Sequence, residues 1–376
     1  MAPHGSTPEQ AQLEADALAL RNQSKLASDL LAASAVEIAH SSLGDLPPAF
    51  KALDASRPWI IYWSLHSLAL LGTHASADDV ANAMRTLLRC QRHRSGFAGS
   101  PLQEPHLATT YAACASLATL GDPSALRQVD RDGVRAFVRA RFDEAGNGGF
   151  ALTPCGEVDP RGAYCALAAC TLLRLDIADV LGNENIEQLG SYLASCQTYE
   201  GGIGPAPGVE AHGGYSYCGL AAAVLCNQHH KLDIMALAEW VSMRQGDSEG
   251  GFAGRTSKLA DACYAFWQVA TLEVARTYCF RWITGTEQCV DDSDGKGTQR
   301  WFDEEALQEW LLKCCQDTNG GFRDKPGKER DLYHTCYGLS GLALTSSNEV
   351  NGTDLLLNVE HSCLAHFWSE ELTCQK

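Results

Sequence analysis

The chain has 376 residues, 45% hydrophobic and 20% charged, with 13 prolines. That is globular composition, and it excludes wholesale disorder and a collagen-like chain. Lys and Arg number 29 against 46 Asp and Glu, a net charge of −17, which argues against a nucleic acid held by the overall field.

No stretch approaches the roughly 18 to 20 apolar residues of a membrane span. Residues 1–23 lack the basic-then-apolar pattern of a secretory signal. A cytoplasmic setting is expected, and in it the 16 cysteines are read as reduced thiols. Cys114, Cys165, Cys170, Cys218 and Cys226 sit in apolar helical runs, where a free thiol behaves as a small hydrophobe.

Residues 1–48 read as an N-terminal helical extension. One unit then repeats from 49 to 347. PWIIYWSLHSLALLG is the first apolar helix and carries Tyr62. A more polar run ending at Gln91 leads to the turn Ser95-Gly96-Phe97 and an apolar run with Tyr111. The same order returns at Gly148-Gly149-Phe150 with Tyr164, and at Gly201-Gly202-Ile203 with Tyr217. It returns again at Gly250-Gly251-Phe252 with Tyr264, and at Gly320-Gly321-Phe322 with Tyr337. The third turn residues are 53, 53, 49 and 70 apart. The long last step contains the polar stretch 285–298, expected as an insertion loop, and 348–376 reads as a C-terminal tail.

Six copies of a helix pair predict an all-α fold of about six ~50-residue repeats. An open solenoid and a closed ring both fit such a repeat. The inner runs are nearly apolar all round, as in helices buried on both sides, so an α/α toroid with six inner and six outer helices is favoured. A kelch propeller has a similar period, but these Ala/Leu-rich runs have the 3.6-residue period of helices.

Equal offsets from the tyrosine predict equal depth in the ring. Three residues before it stand Trp59, Ala108, Arg161, Gly214, Asp261 and His334. One residue before stand Ile61, Thr110, Ala163, Ser216, Cys263 and Cys336. Helix capping is enough to explain Asp159 and Asp261. It does not explain Cys263 and His334 beside Asp261. A carboxylate, a thiolate and an imidazole make three zinc ligands with the fourth position open. Against this, Asp-x-Cys is a common accident and His can be a satisfied core residue.

Positive charge gathers at the same helix starts: Arg255, Lys258, Lys325, Lys328 and Arg330, with Arg161 and His212 from neighbouring copies. The plain reading is a solvated charged loop. The sharper one is a diphosphate held at helix N-termini by Arg, Lys, His and Tyr hydroxyls. Trp59, Tyr62, Trp63, Tyr111, Tyr164, Tyr215, Trp267, Tyr333 and Tyr337 are either core or the wall of a tapered cavity for a long apolar chain.

In PHLATTYAA, CGEVDPRGAYCA, YEGGIG, VEAHGGYSYCGLAA, EGGFAGRTSKLADACYAFWQ and DKPGKERDLYHTCYGLSGLAL, as in the first apolar helix, the chain resembles the β subunits of protein farnesyltransferases over about residues 50–345. The resemblance implies an α/α toroid and an obligate α-subunit partner. It implies Zn2+ on Asp261, Cys263 and His334, with Lys258 and Tyr264 also catalytic. It implies diphosphate contacts at His212, Arg255, Lys258 and Tyr264, and Mg2+ through Asp324 and the diphosphate. Arg161, Tyr164, Cys218 and Trp267 would wall the isoprenoid. Trp59, Trp63 and Tyr333 would face the peptide.

The implied reaction moves farnesyl from farnesyl diphosphate to the cysteine of C-terminal CaaX proteins, with Trp59 and Tyr337 limiting chain length. The first turn departs from the pattern, with Ser95 in place of a glycine. Rival readings are a geranylgeranyltransferase type I β subunit, a terpene cyclase and a non-catalytic helical scaffold. For a cyclase, Asp291-Asp292-Ser293-Asp294 is a poor acidic motif because it lies in a polar loop.

Overall fold

The computed structural model describes residues 7–22, 29–44, 46, 48–142, 148–279 and 300–369. The expected insertion at 285–298 lies outside them. The described elements begin with α1 (Pro8–Arg21), α2 (Ala32–Ser41), a 3-10 segment (Pro48–Ser56), α3 (Arg57–Leu70), α4 (Ala77–Cys90) and α5 (Leu107–Leu120). Next come α6 (Ser124–Gln128), α7 (Arg131–Arg141), α8 (Pro160–Leu172), α9 (Ile177–Leu181), α10 (Asn183–Ser195), α11 (Gly213–Leu225) and α12 (Ile234–Ser242). The chain continues with α13 (Tyr264–Val274), α14 (Glu304–Glu309) running into a π-helix (Trp310–Cys315), α15 (Leu332–Ala343) and α16 (His361–Phe367).

Helices α3, α5, α8, α11, α13 and α15 form the inner ring. Each packs on the next, and α15 packs back on α3, so the ring is closed. Their Ala, Leu and Cys side chains are buried on nearly every face, as expected of helices walled in on both sides. No strand occurs among the described residues, only isolated bridges such as Gln91–Phe97, Gln197–Ile203 and Gln245–Phe252 at the glycine turns.

Those turns are where outer helix meets inner helix. The second glycine is required by its neighbour. A Cβ on Gly202 would lie 2.6 Å from the Trp240 ring, and one on Gly251 2.6 Å from that of Trp310. Both tryptophans belong to the next outer helix. At Gly321 the corresponding neighbour is Ile38, on α2.

A second device links successive outer helices. Four outer helices end in a glutamine that reaches the start of the next; α2 and α7 end in Ser42 and Phe142 instead. Gln197 Nε2 donates to Asp233 O at 2.8 Å and its Oε1 accepts from Asp233 N at 2.9 Å. Gln91 holds Asp130 and Gln245 holds Asp303 in the same way. Gln316 holds the segment before α2, donating to Asp29 O at 3.1 Å and accepting from Leu31 N at 2.7 Å. So α2, inside the expected N-terminal extension, packs on α3 and α15 and occupies the first outer position. Its sequence is not preceded by a Gly-Phe turn.

The C-terminal segment carries one more, degenerate turn, with Thr353 bridged to Glu360. It lies under the inner tyrosines. Tyr62 donates to Asn358 O at 2.7 Å, Tyr111 to Leu357 O at 2.9 Å and Tyr217 to Leu355 O at 3.0 Å. Tyr62, Tyr111 and Tyr217 thus mark the level at which the C-terminal segment closes the ring; Tyr264 departs from the expected equal depth, because α13 begins at that residue and its hydroxyl meets His212 instead.

Candidate functional site: a metal-ligand triad on an aromatic annulus

Eight rings form a closed circle inside the toroid. Centroid spacings run Trp59–Tyr111 5.9 Å, Tyr111–Tyr164 5.2 Å, Tyr164–Tyr217 5.2 Å and Tyr217–Trp267 5.4 Å. They continue Trp267–Tyr337 4.5 Å, Tyr337–Tyr333 4.9 Å, Tyr333–Trp63 5.6 Å and Trp63–Trp59 5.8 Å. Tyr62, Tyr111, Tyr164, Tyr217 and Tyr337 are buried, while Trp59, Trp63, Trp267 and Tyr333 are partly open. The open rings are therefore available to a ligand. Cys218 is buried among these helices.

The triad adjoins this annulus through Tyr333, whose ring stands 5.0 Å from that of His334. Ligand atoms of Asp261, Cys263 and His334 all lie within 4.8 Å of one another, and among the described residues no other such group of three occurs. His334 Nε2 is 3.2 Å from Asp261 Oδ1. Its Nδ1 is 2.7 Å from Asp331 Oδ2, which fixes the ring and leaves Nε2 facing the triad. Asp331 also caps α15.

The charges of the triad call for a cation. Burial, and then the Asp261 carboxylate, push the Cys263 thiol well up. Burial works against a charged His334, but Asp261 and Asp331 outweigh it and raise its pKa to about 9. Two acids and a thiol thus share one proton-bearing imidazole. A dication replaces that proton and compensates the thiolate. The residues present fit a Zn2+ ion, with His, Cys and Asp as donors.

Beside the triad, Tyr264 Oη is 2.9 Å from His212 Nε2. Gly214 N–H donates to His212 Nδ1 at 3.1 Å. A neutral His212 therefore carries its proton on Nε2 and donates it to Tyr264, which frees the phenolic proton to point outward. Burial, and then Arg255, lower the His212 pKa and keep it neutral. Lys258 is exposed.

The other basic residues are less free than their spacing suggests. Arg255 pairs with Glu210 at 3.0 Å. Arg161 is held by Asp159 at 2.7 Å and Glu157 at 2.8 Å, and its guanidinium lies 5.3 Å from the centre of the Tyr215 ring. Asp324 contacts Lys325, and its carbonyl accepts from Ala262 N at 2.8 Å. Burial, and then Asp261, raise the Asp324 pKa.

Asp331 and His106 were absent from the sequence-based site. His106 caps α5 through Nδ1, as His212 caps α11. The shared offset of five residues before Tyr111 and Tyr217 could have revealed that pair. A separate cavity of about 710 Å³, bounded by Leu43, Phe50, Lys51 and Ile60, opens on the outer side of α3 and shares no residue with the site.

Residues 30–359 match the family model described as the prenyltransferase alpha-alpha toroid domain. The chain is 41% identical over 346 residues to the protein farnesyltransferase subunit beta of Arabidopsis thaliana, covering 80% of this chain and 70% of that one. It is 40% identical over 345 residues to the subunit of the same name from Pisum sativum, covering 80% of each. The chain belongs to the prenyltransferase β-subunit family. As a prenyltransferase β subunit it is part of an enzyme that transfers prenyl groups. The solved Candida albicans protein geranylgeranyltransferase-I, complexed with GGPP, superposes with a TM-score of 0.75 over 92% of this chain and 99% of that chain, at 21% identity. At that identity it speaks to the fold alone, and the fold of this prenyltransferase subunit is the α/α toroid. No described helix is long and apolar enough to cross a membrane.

Proposed function

We propose that the chain is the catalytic β subunit of a zinc-dependent protein farnesyltransferase. It would work as a heterodimer with an α subunit in the cytoplasm and transfer farnesyl from farnesyl diphosphate to the thiol of C-terminal CaaX cysteines. The observation that carries this reading is the convergence of Asp261, Cys263 and His334 beside a ring of aromatic side chains. It unites a soft-metal site with a wall for an apolar chain.

Bound zinc would lower the pKa of the acceptor thiol and favour its thiolate. Asp261, Cys263 and His334 would hold the ion, and Asp331 orients His334. The acceptor sulfur forms a bond to C1 of the donor as the C1–O bond breaks, and the electron pair leaves with diphosphate. Tyr264, backed by His212, donates to that developing charge, and Arg255 and Lys258 add positive charge. Asp324 would contribute to a magnesium ion on the diphosphate. Trp267, Tyr164, Cys218 and the aliphatic part of Arg161 would line the isoprenoid, while Trp59, Trp63 and Tyr333 face the peptide. A bare scaffold would leave the triad and the annulus without a role.

Farnesyl is favoured over geranylgeranyl by the stronger match to farnesyltransferase subunits. The geranylgeranyl transferase type-1 subunit beta of Arabidopsis thaliana matches at 33% over 64% of the chain. Trp59 and Tyr337 fill part of the annulus, and one further isoprene unit would have to displace them. The test is transfer of each donor to a CaaX peptide by the co-expressed heterodimer, before and after zinc is stripped. Zinc-dependent farnesyl preference supports the proposal. Geranylgeranyl preference moves the chain to the sister enzyme. No transfer by a folded, zinc-loaded heterodimer overturns the reading.

A further inference from the structure

Charge is distributed unevenly. Residues 85–141 hold nine arginines and no lysine against four acids (Glu104, Asp122, Asp130 and Asp132), in a chain of net charge −17. Arg85 and Arg89 lie four apart on the exposed face of α4, and Arg92 and Arg94 follow on the turn. All four are exposed, and no described residue forms an ion pair with them. Gln91 and the backbone of Arg94 are bonded to Asp130, the N-cap of α7. The row therefore runs on to α7, where Arg139 is exposed and the half-buried Arg135 keeps its Nε without a hydrogen-bond partner.

Basic residues in a last helical turn complement the helix dipole. That accounts for Arg89 and Arg139. It leaves Arg85, Arg92, Arg94 and Arg135 unexplained, although like charges four apart weaken a helix. The exclusive use of arginine points to forked recognition of carboxylate or phosphate. None of the large exposed hydrophobic residues lies on α4, the Arg92–Arg94 turn or α7, and only Leu102 follows before α5, so the face offers a membrane a single leucine at its edge. The overall −17 opposes a nucleic acid. The rise of about 6 Å between residues four apart matches carboxylates at the same spacing on a partner helix.

We propose that the outer face of α4, the Arg92–Arg94 turn and α7 together dock an acidic polypeptide segment. From the turn the chain runs through residues 95–106 to the rim at the start of α5. An acceptor protein with an acidic stretch would therefore also be concentrated near the site; this consequence, unlike the docking, rests on the transfer reading.

The test is fluorescence anisotropy of a labelled glutamate-rich peptide with the heterodimer, comparing wild type with R85Q/R89Q/R92Q/R94Q. Affinity is expected to fall about tenfold or more in the variant and to weaken with added salt. Transfer to a short CaaX peptide should stay unchanged. The double variant R85Q/R89Q should lose part of the affinity and serves if the quadruple does not fold. Equal binding by the variants, no binding by the wild-type heterodimer, or binding to phosphatidylserine vesicles in place of the peptide would overturn the proposal. Absent transfer with intact, arginine-dependent peptide binding would instead count only against the proposed reaction.

Discussion

His334 has both ring nitrogens committed, one to Asp331 and one to the triad. Asp331→Asn keeps a helix cap but loses the carboxylate on Nδ1. Zinc affinity, measured by competition with a chromogenic chelator, should fall about 10- to 100-fold, with the circular dichroism spectrum unchanged. Unaltered affinity would leave Asp331 as a cap only. Tyr264→Phe removes the outward hydroxyl backed by His212. If that hydroxyl stabilises the leaving group, kcat should fall roughly 10-fold or more while the acceptor KM holds. The triad was legible because three residues share the start of two adjacent inner helices. Asp331 was less visible, since its role depends on the rotamer of His334 and not on any repeat. The salt bridges of Arg161 and Arg255 were hidden as well, because Asp159, Glu157 and Glu210 read equally well as caps and solvated acids.

At the scale of helices, the glutamine clamp carries the connection between outer neighbours. Gln316→Ala removes both bonds to the segment before α2. It should cost about 1–2 kcal/mol in unfolding free energy and speed amide exchange first in residues 29–41. Uniform exchange across the ring would show that the clamp is dispensable. Gln91, Gln197, Gln245 and Gln316 stood out in the sequence at the ends of four polar runs. Their partners did not, since the next N-cap lies 36 to 58 residues on and the first cap in space comes from the opposite end of the chain. The same gap concealed α2, whose glycine turn is supplied by Gly320-Gly321 and not by the residues before it.

Taken whole, the molecule is a ring whose deep end is closed by its C-terminal segment. His66 marks that closure: its ring stacks on Tyr62 at 5.4 Å and its Nε2 is 3.1 Å from Asn358 Oδ1. Burial lowers its pKa from 6.5 to about 4 despite the Asn358 bond. The folded protein holds His66 neutral, whereas the unfolded chain takes up a proton near 6.5. Its contribution is therefore fully present above pH 6.5 and is lost as pH falls towards 4. Denaturant unfolding over that interval should show a slope that His66→Gln reduces, by up to roughly 3 kcal/mol in total. Identical slopes would exclude His66 as the source. The repeat made the ring itself readable, but residues 353–360 have no apolar period to announce that they cover its base. Closure has an evolutionary consequence. An open array can gain or lose a unit and remain a protein, but a sealed hexagon cannot. Its bore is fixed by a whole number, so variants that accept longer or shorter chains must arise by trimming side chains along the axis.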